Sequence, residues 1–203
     1  MIYAKSVPES ALRQGELLSN VVQLFVELHT IAQESPRAIR RNHAFAYVLS
    51  QDCDLDWDFN SRTKPDARDR TIPSILLCEA MPAISAARQI IAVDGSKNTD
   101  KSRIWRRVKQ NKDERYQFFS KVESSLDLQE QGIDELVIDF KRYFSVPTGE
   151  LYKRIELGET HRRCRLRSPY LEHLSSRFAF YLSRVALPED YHSEPGLVRR
   201  YNT

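Results

Sequence analysis

A run of alternating residues in the first quarter of the chain constrains the fold most strongly. In residues 43–50 (HAFAYVLS), Phe45, Tyr47 and Leu49 occupy every second position. This period of two places the three side chains on one face of a β-strand. A single strand is not stable alone and needs neighbouring strands and a core against its apolar face. The chain is therefore expected to build a β-sheet around this segment.

Other segments rich in β-branched and aromatic residues predict further strands. They are residues 21–30, 72–78 and 136–140, an extended piece that ends at 144–147, and weaker strands at 151–155 and 164–166. The polar, proline-containing stretches 33–42 and 58–71 predict loops. Short strands with short connections favour antiparallel pairing.

Two stretches have helical periodicity instead. Residues 83–93 carry apolar side chains at helical spacing between Pro82 and Gly95, and residues 101–110 extend the pattern as a basic turn. Residues 169–185 begin after a predicted Ser168 cap and carry an apolar stripe: Leu171, Leu174, Phe178, Tyr181, Leu182 and Val185. These patterns predict an α+β fold, a strongly bent, mostly antiparallel sheet or small barrel covered by the two helices.

Composition limits the class of protein. The chain has 203 residues, of which 41% are hydrophobic, which is enough for one core and excludes a disordered chain. Three widely spaced cysteines favour a reducing compartment and no structural zinc site. Neither a membrane span nor a signal peptide is predicted. We expect one cytoplasmic domain over residues 1–203, with a basic insertion at about 95–130 and a loosely held tail at about 189–203.

Basic residues are clustered although the net charge is only +3. Residues 97–121 hold nine basic side chains against three acidic ones, and a second cluster occupies residues 161–167. Basic clusters interleaved with aromatic residues are typical of nucleic-acid binding, and a solvated helix face is the alternative. The candidate nucleic-acid ligands are Arg103, Arg106, Arg107, Lys109, Arg115, Arg163, Arg165, His173, Arg177 and Arg184.

The densest group of reactive side chains follows the strand at 43–50. Gln51, Cys53 and Asp54 are candidate catalytic or binding residues. Asp52, Asp54 and Asp56 could together hold a divalent metal, although no metal or other cofactor is required. Alternatively, Cys53 is a nucleophile, whose activation the flanking carboxylates oppose, or Gln51 and Asp54 recognise a ligand.

A purely structural interpretation of the same segment is also open. The alternation of residues 51–58 fits a strand whose aspartates face water. Its inward side chains would be Cys53, Leu55, Trp57 and Phe59.

A family resemblance is carried by short strings in the N-terminal part of the chain. They are Arg13-Gln14-Gly15-Glu16-Leu17, then residues 21–26, then Arg41-Asn42-His43 leading into Ala46-Tyr47-Val48-Leu49-Ser50, with 75–78 as the following strand. Over about residues 13–80, this order resembles the opening of PemK/MazF-like proteins. The resemblance implies a small SH3-like barrel and a relation to RNA-cleaving toxins. It places Glu16 at the position of a turn aspartate and Arg41 at that of the catalytic-loop arginine.

The sequence departs from that family at several points. Asn42 replaces the usual proline, Glu16 replaces aspartate, and the chain is longer than is usual in the family. The string Ser50-Gln51-x-Cys53-Asp54 is absent from the toxin pattern, and it looks like one shared by uncharacterised bacterial proteins with a basic C-terminal helix.

Three functions from different classes follow. The first is a bacterial nucleic-acid-associated protein of a defence or toxin–antitoxin system, which binds RNA or DNA through the basic clusters. The second is a hydrolase, either a metal-dependent nuclease or a cysteine-dependent enzyme, that uses residues 51–58. The third is a non-enzymatic assembly module that docks on an acidic protein partner. Membrane binding is not expected.

Overall fold

Seven antiparallel strands form one sheet in a computed structural model that describes residues 2–62, 64, 70–95, 98–99 and 102–184. The strands are β1 (Tyr3–Lys5), β2 (Glu16–Val26), β3 (Ala38–Val48), β4 (Ser74–Pro82), β5 (Tyr116–Phe119), β6 (Leu136–Pro147) and β7 (His161–Leu166). Their order across the sheet is β1-β7-β2-β3-β4-β6-β5, and every neighbouring pair is antiparallel.

Five α-helices complete the described structure and confirm the predicted α+β class. They are α1 (Asp52–Ser61), α2 (Ala83–Asp94), α3 (Arg103–Lys109), α4 (Thr148–Glu156) and α5 (Tyr170–Leu182). Within the described ranges, none of these helices is long and apolar enough to cross a membrane.

The sheet bends so strongly that its two edges approach each other. Tyr3 lies on the edge strand β1, and its hydroxyl donates a hydrogen bond of 2.7 Å to the carbonyl of Ser120, which follows the opposite edge strand β5. Among the described strands, β1 and β5 do not pair with each other. The predicted bent, mostly antiparallel sheet is therefore confirmed, and it is not closed into a barrel.

Both faces of the sheet are covered. Tyr47 lies on the face that packs with Phe140 and with Leu174 and Phe178 of α5. Val48, the next residue, points to the other face. There the core also contains Leu18, Leu77, Leu55 of α1 and Leu151 of α4. A smaller core joins α2 and α3 to the start of β6 and contains Ile90, Trp105, Val108 and Val137.

The strands β2 and β3 extend beyond the rest of the sheet as a two-stranded arm, residues 22–42. Within the described ladders, β7 pairs with β2 only as far as Ser19, and β4 pairs with β3 only from Phe45. The prediction of a loop at 33–42 is thus wrong for the part from Ala38, where β3 begins. The alternating apolar signal is weak there because this end of β3 is exposed on both faces.

The strand interpretation of residues 51–58 is wrong, because these residues lie in α1. The first-turn carboxylates Asp52 and Asp54 suit a helix N-terminus, where the helix dipole favours negative charge. The buried positions are Leu55, Asp58 and Ser61, three residues apart, as one helical face requires.

The other differences concern short or charged segments. Residues 151–155 are helical, in α4, where Leu151 is buried one turn before the partly buried Ile155. Residues 136–140 and 144–147 belong to one strand, β6.

Residues 101–110 contain the separate helix α3, because Gly95 ends α2 in a left-handed conformation. Ser168 does not cap α5, which begins after Pro169, and the predicted tail at 189–203 and Val185 lie outside the described residues.

We expect Phe178→Ala to lower the free energy of unfolding by about 3–5 kcal/mol, because it removes a buried aromatic ring from the core. Phe178 is 8% exposed, and its ring centroid lies 5.8 Å from that of Phe140 and 5.6 Å from that of Tyr143. Urea unfolding of the variant measures this loss. Phe180→Ala, on an exposed position of the same helix, is the control, and equal losses in both variants would contradict the packing.

Candidate nucleic-acid interface

The loop between α3 and β5 is held in one conformation by its own side chains. The amide of Asn111 accepts a hydrogen bond of 2.7 Å from the N–H of Phe118 and donates one of 3.1 Å to the Phe118 carbonyl. The Asp113 carboxylate accepts from the N–H groups of Arg115 and Tyr116. These hydrogen bonds fix the conformation of the loop within the protein itself.

Arg177 of α5 fixes the same loop from the other side. Its guanidinium donates to the carbonyls of Asn111, Asp113 and Tyr116, the last at 2.8 Å. Burial lowers the pKa of Arg177, and the nearby Asp113 opposes that effect. Three of its five N–H donors are used on backbone carbonyls, so Arg177 stabilises the loop. Its role as a nucleic-acid ligand stays a prediction.

A cleft of about 430 Å³ opens beside this loop, and four of the predicted arginines line it. Arg103 and Arg107 come from α3, Arg115 precedes β5, and Arg184 follows α5. We call this the arginine cleft. Two carboxylates, those of Asp113 and Glu114, also line it, so guanidinium groups outnumber carboxylates.

The four arginines differ in how far they are neutralised. Arg115 donates to both oxygens of the buried Asp139, at 2.8 and 2.6 Å, and these bonds raise the pKa of Arg115. Arg184 lies 3.8 Å from a Glu114 oxygen. Arg103 and Arg107 form no ion pair with any carboxylate that the structure describes. Arg107 also donates a hydrogen bond of 3.1 Å to the Lys112 carbonyl. Among the described residues, these two arginines are the cleft's guanidinium groups without an ion-pair partner.

The remaining wall of the arginine cleft is apolar and aromatic. Ile90, Ile104 and Tyr116 line it, and the Arg115 guanidinium lies 4.8 Å from the centre of the Tyr116 ring. Ile90 belongs to the smaller core as well, and the sequence does not indicate that it also borders a cleft, because the cleft forms only when α2 and β5 come together.

The other predicted basic residues are placed outside this cleft. Arg106 and Lys109 are exposed on α3, and Arg165 is half-buried on β7. His173 is exposed on α5, but burial, together with the charge of Arg177, lowers its pKa. Its role as a nucleic-acid ligand stays a prediction.

Arg163 is a correction to the predicted interface. It is 6% exposed and donates two hydrogen bonds, of 2.7 and 2.6 Å, to the carboxylate of Asp127. Burial alone raises the pKa of Asp127, but Arg163 and two backbone N–H groups outweigh it, so the net pKa is lowered. Arg163 is thus part of a buried ion pair and not a surface ligand.

Residues 51–54 line a separate groove of about 1030 Å³ between the first turn of α1 and α5. Cys53 is exposed, and its Sγ lies 3.7 Å from both Gln51 Oε1 and Asp54 Oδ1. Asp52 accepts a hydrogen bond from the N–H of Gln14 and forms an ion pair with Arg13.

The predicted metal site does not form in the described residues. No group of three or more histidine, cysteine, aspartate or glutamate side chains in the described ranges is arranged to hold a metal ion. On a helix, Asp52, Asp54 and Asp56 are successively 200° apart, so they do not converge. The hydrolase prediction based on this segment is otherwise untested.

The two residues to which the family resemblance assigns positions, Glu16 and Arg41, have different surroundings. Glu16 is fully buried and bonded to Arg162, at the start of β2. Arg41 is exposed, lies 3.8 Å from Glu79, and is paired with Gln23 in the β2–β3 ladder. Gln23 lies seven positions along the strand from Glu16, roughly 23 Å when the strand is extended. The roles that the resemblance implies for Glu16 and Arg41 stay predictions.

Comparison with protein-family models, with curated proteins and with solved structures gives no match to this chain.

We expect Asp54→Asn and Asp58→Ala to change the free energy of unfolding by very different amounts, although both residues belong to α1. Asp54 is exposed, so its replacement should change stability by only about 0.5 kcal/mol. Asp58 is fully buried and accepts hydrogen bonds from Arg62 and from the N–H of Ile72, so its replacement should cost about 2–3 kcal/mol. Urea unfolding of both variants tests this, and a larger loss for Asp54→Asn would show that residue 54 has a structural role.

Proposed function

We propose that this protein binds nucleic acid through the arginine cleft. The observation that carries the proposal is the convergence of Arg103, Arg107, Arg115 and Arg184, from three separate parts of the chain, on one cleft with an aromatic wall. Residues distant in sequence are brought together there, which a merely solvated basic helix does not require.

The chemistry of the cleft suits a phosphate diester. A guanidinium group presents several N–H donors in one plane and binds phosphate oxygens in pairs. Arg103 and Arg107 have no described carboxylate partner that an external phosphate would have to displace. Tyr116 and Ile104 offer a surface for a base or sugar next to those charges.

The charge outside the cleft favours a polyanion over a small anion. Arg106, Lys109 and Lys112 are exposed on the same helix or directly after it. A polymer with regularly spaced phosphates can contact these groups and the cleft together, whereas a single phosphate cannot.

Two parts of the family resemblance remain proposals. A relation to SH3-like barrels is supported by the strong bend that brings Tyr3 to Ser120, although the sheet is open. Membership of a toxin–antitoxin or defence system is supported only by the N-terminal strings and by the nucleic-acid proposal. A cytoplasmic location is supported by three cysteines that are all free.

We expect the double variant Arg103→Ala/Arg107→Ala to reduce the salt dependence of nucleic-acid binding. Each lost phosphate contact lowers the slope of log K against log salt by about one, so the slope should fall by up to about two. Fluorescence anisotropy with a labelled oligonucleotide, over a series of salt concentrations, measures the slope.

The matched control removes the same charge elsewhere. Arg37 and Arg40 lie on the β2–β3 arm with side chains 75% and 64% exposed. Arg37→Ala/Arg40→Ala should leave the slope unchanged, and an equal decrease in both double variants would refute binding at the cleft. Displacement of the oligonucleotide by an acidic peptide at equal charge would support docking on an acidic protein instead.

A further inference from the structure

Two smaller pockets continue the arginine cleft along α5. The second pocket has a volume of about 280 Å³ and shares Asp113 and Glu114 with the cleft. The third has a volume of about 200 Å³ and shares Asn111 and His173 with the second. Because neighbouring pockets share wall residues, the three pockets adjoin one another in sequence.

Each of the three pockets contains an aromatic side chain. Tyr116 lines the cleft, Phe180 lines the second pocket, and Tyr170 and Phe118 line the third. Phe180 is 56% exposed and Tyr170 is 41% exposed, whereas Phe178 on the same helix is 8% exposed. The rings of Phe180 and Tyr170 are therefore not used to build the core.

The spacing along α5 places these groups in one row. Tyr170, His173, Arg177 and Phe180 are separated by three, four and three residues, which keeps them on one helical face. Ten residues of helix span about 15 Å from Tyr170 to Phe180. That distance corresponds to about four nucleotides at the 3.4 Å rise of a stacked strand.

The charges along this surface are compatible with a polyanion. Lys112 is an exposed cation in the second pocket. The two carboxylates shared with the cleft have protein partners, since Asp113 accepts from backbone N–H groups and Glu114 faces Arg184. Phosphates can therefore follow the basic side while bases turn towards the aromatic rings.

We propose that the arginine cleft and the two pockets form one track for single-stranded nucleic acid, in which Tyr116, Phe180 and Tyr170 stack on bases. The inference rests on the proposed function and adds the strandedness of the ligand. Base faces are accessible to aromatic side chains only when the strand is unpaired, so duplex should bind more weakly.

The test compares Phe180→Ala and Tyr170→Ala with wild type. Binding of a twelve-nucleotide single strand and of the matching duplex is measured by anisotropy. Each variant should weaken single-strand binding about five- to a hundredfold, as expected for loss of one stacked base, with an unchanged salt slope. Trp57→Ala, which removes a 61% exposed aromatic residue from α1, is the control and should bind like wild type.

A spectroscopic readout separates stacking from an indirect effect. Phe180→Trp should retain single-strand binding, and its added indole fluorescence should be quenched by the strand beyond any change in wild type. Matching thermal unfolding curves establish that the alanine variants are folded.

The possible failures are distinguishable. If Phe180→Ala and Tyr170→Ala bind a single strand like wild type while Arg103→Ala/Arg107→Ala lowers the salt slope, the track is refuted and the proposed function stands. Tighter binding of duplex than of single strand also refutes the track. If, in addition, Arg103→Ala/Arg107→Ala leaves the salt slope of binding unchanged, both proposals fail.

Discussion

The ion pair between Glu16 and Arg162 is the interaction on which the N-terminal half of the sheet depends. Nε and Nη2 of Arg162 donate to the two carboxylate oxygens, at 2.6 and 2.9 Å, and both side chains are buried. The remaining donors of Arg162 bond to the carbonyls of Pro8, Ser10 and Ala11. Loss of either partner would leave a charge buried without compensation, which costs about 3–5 kcal/mol. One guanidinium thus joins β7, β2 and the segment that leads from β1.

The next residue of β7 connects the other face of the sheet. Arg163 points away from Arg162 because consecutive residues in a strand alternate. Its bonds to Asp127, and that of its carbonyl to the N–H of Leu128, hold the segment after β5 against β7. The edge that carries β5 is thereby brought close to α5, where the arginine cleft forms. The two buried pairs therefore fix to β7 both the segment that follows β1 and the segment that follows β5.

Patterns of about eight or more residues predicted the fold class well, and local charge predicted which arginines line the arginine cleft in part. The alternation at β3 and the apolar stripes of α2 and α5 are sufficient to predict these elements, because many residues in each repeat the same period. The strand interpretation of residues 51–58 was wrong because the alternating Asp side chains have the period of two that is typical of a strand. Arg103 and Arg107 were recognisable from local charge. Arg163 was not recognisable as internal, since its partner Asp127 is 36 residues away and no local pattern links them.

The hydrogen bonds of Arg177 to the α3–β5 loop have a kinetic consequence. The three carbonyls that it binds belong to the loop that presents Arg115 and Tyr116. Because the protein itself fixes the loop, the nucleic-acid binding that we propose would cost little conformational entropy of the protein. Its association rate would then be limited by diffusion and by the long-range attraction of the basic residues, and not by a slow rearrangement of the loop.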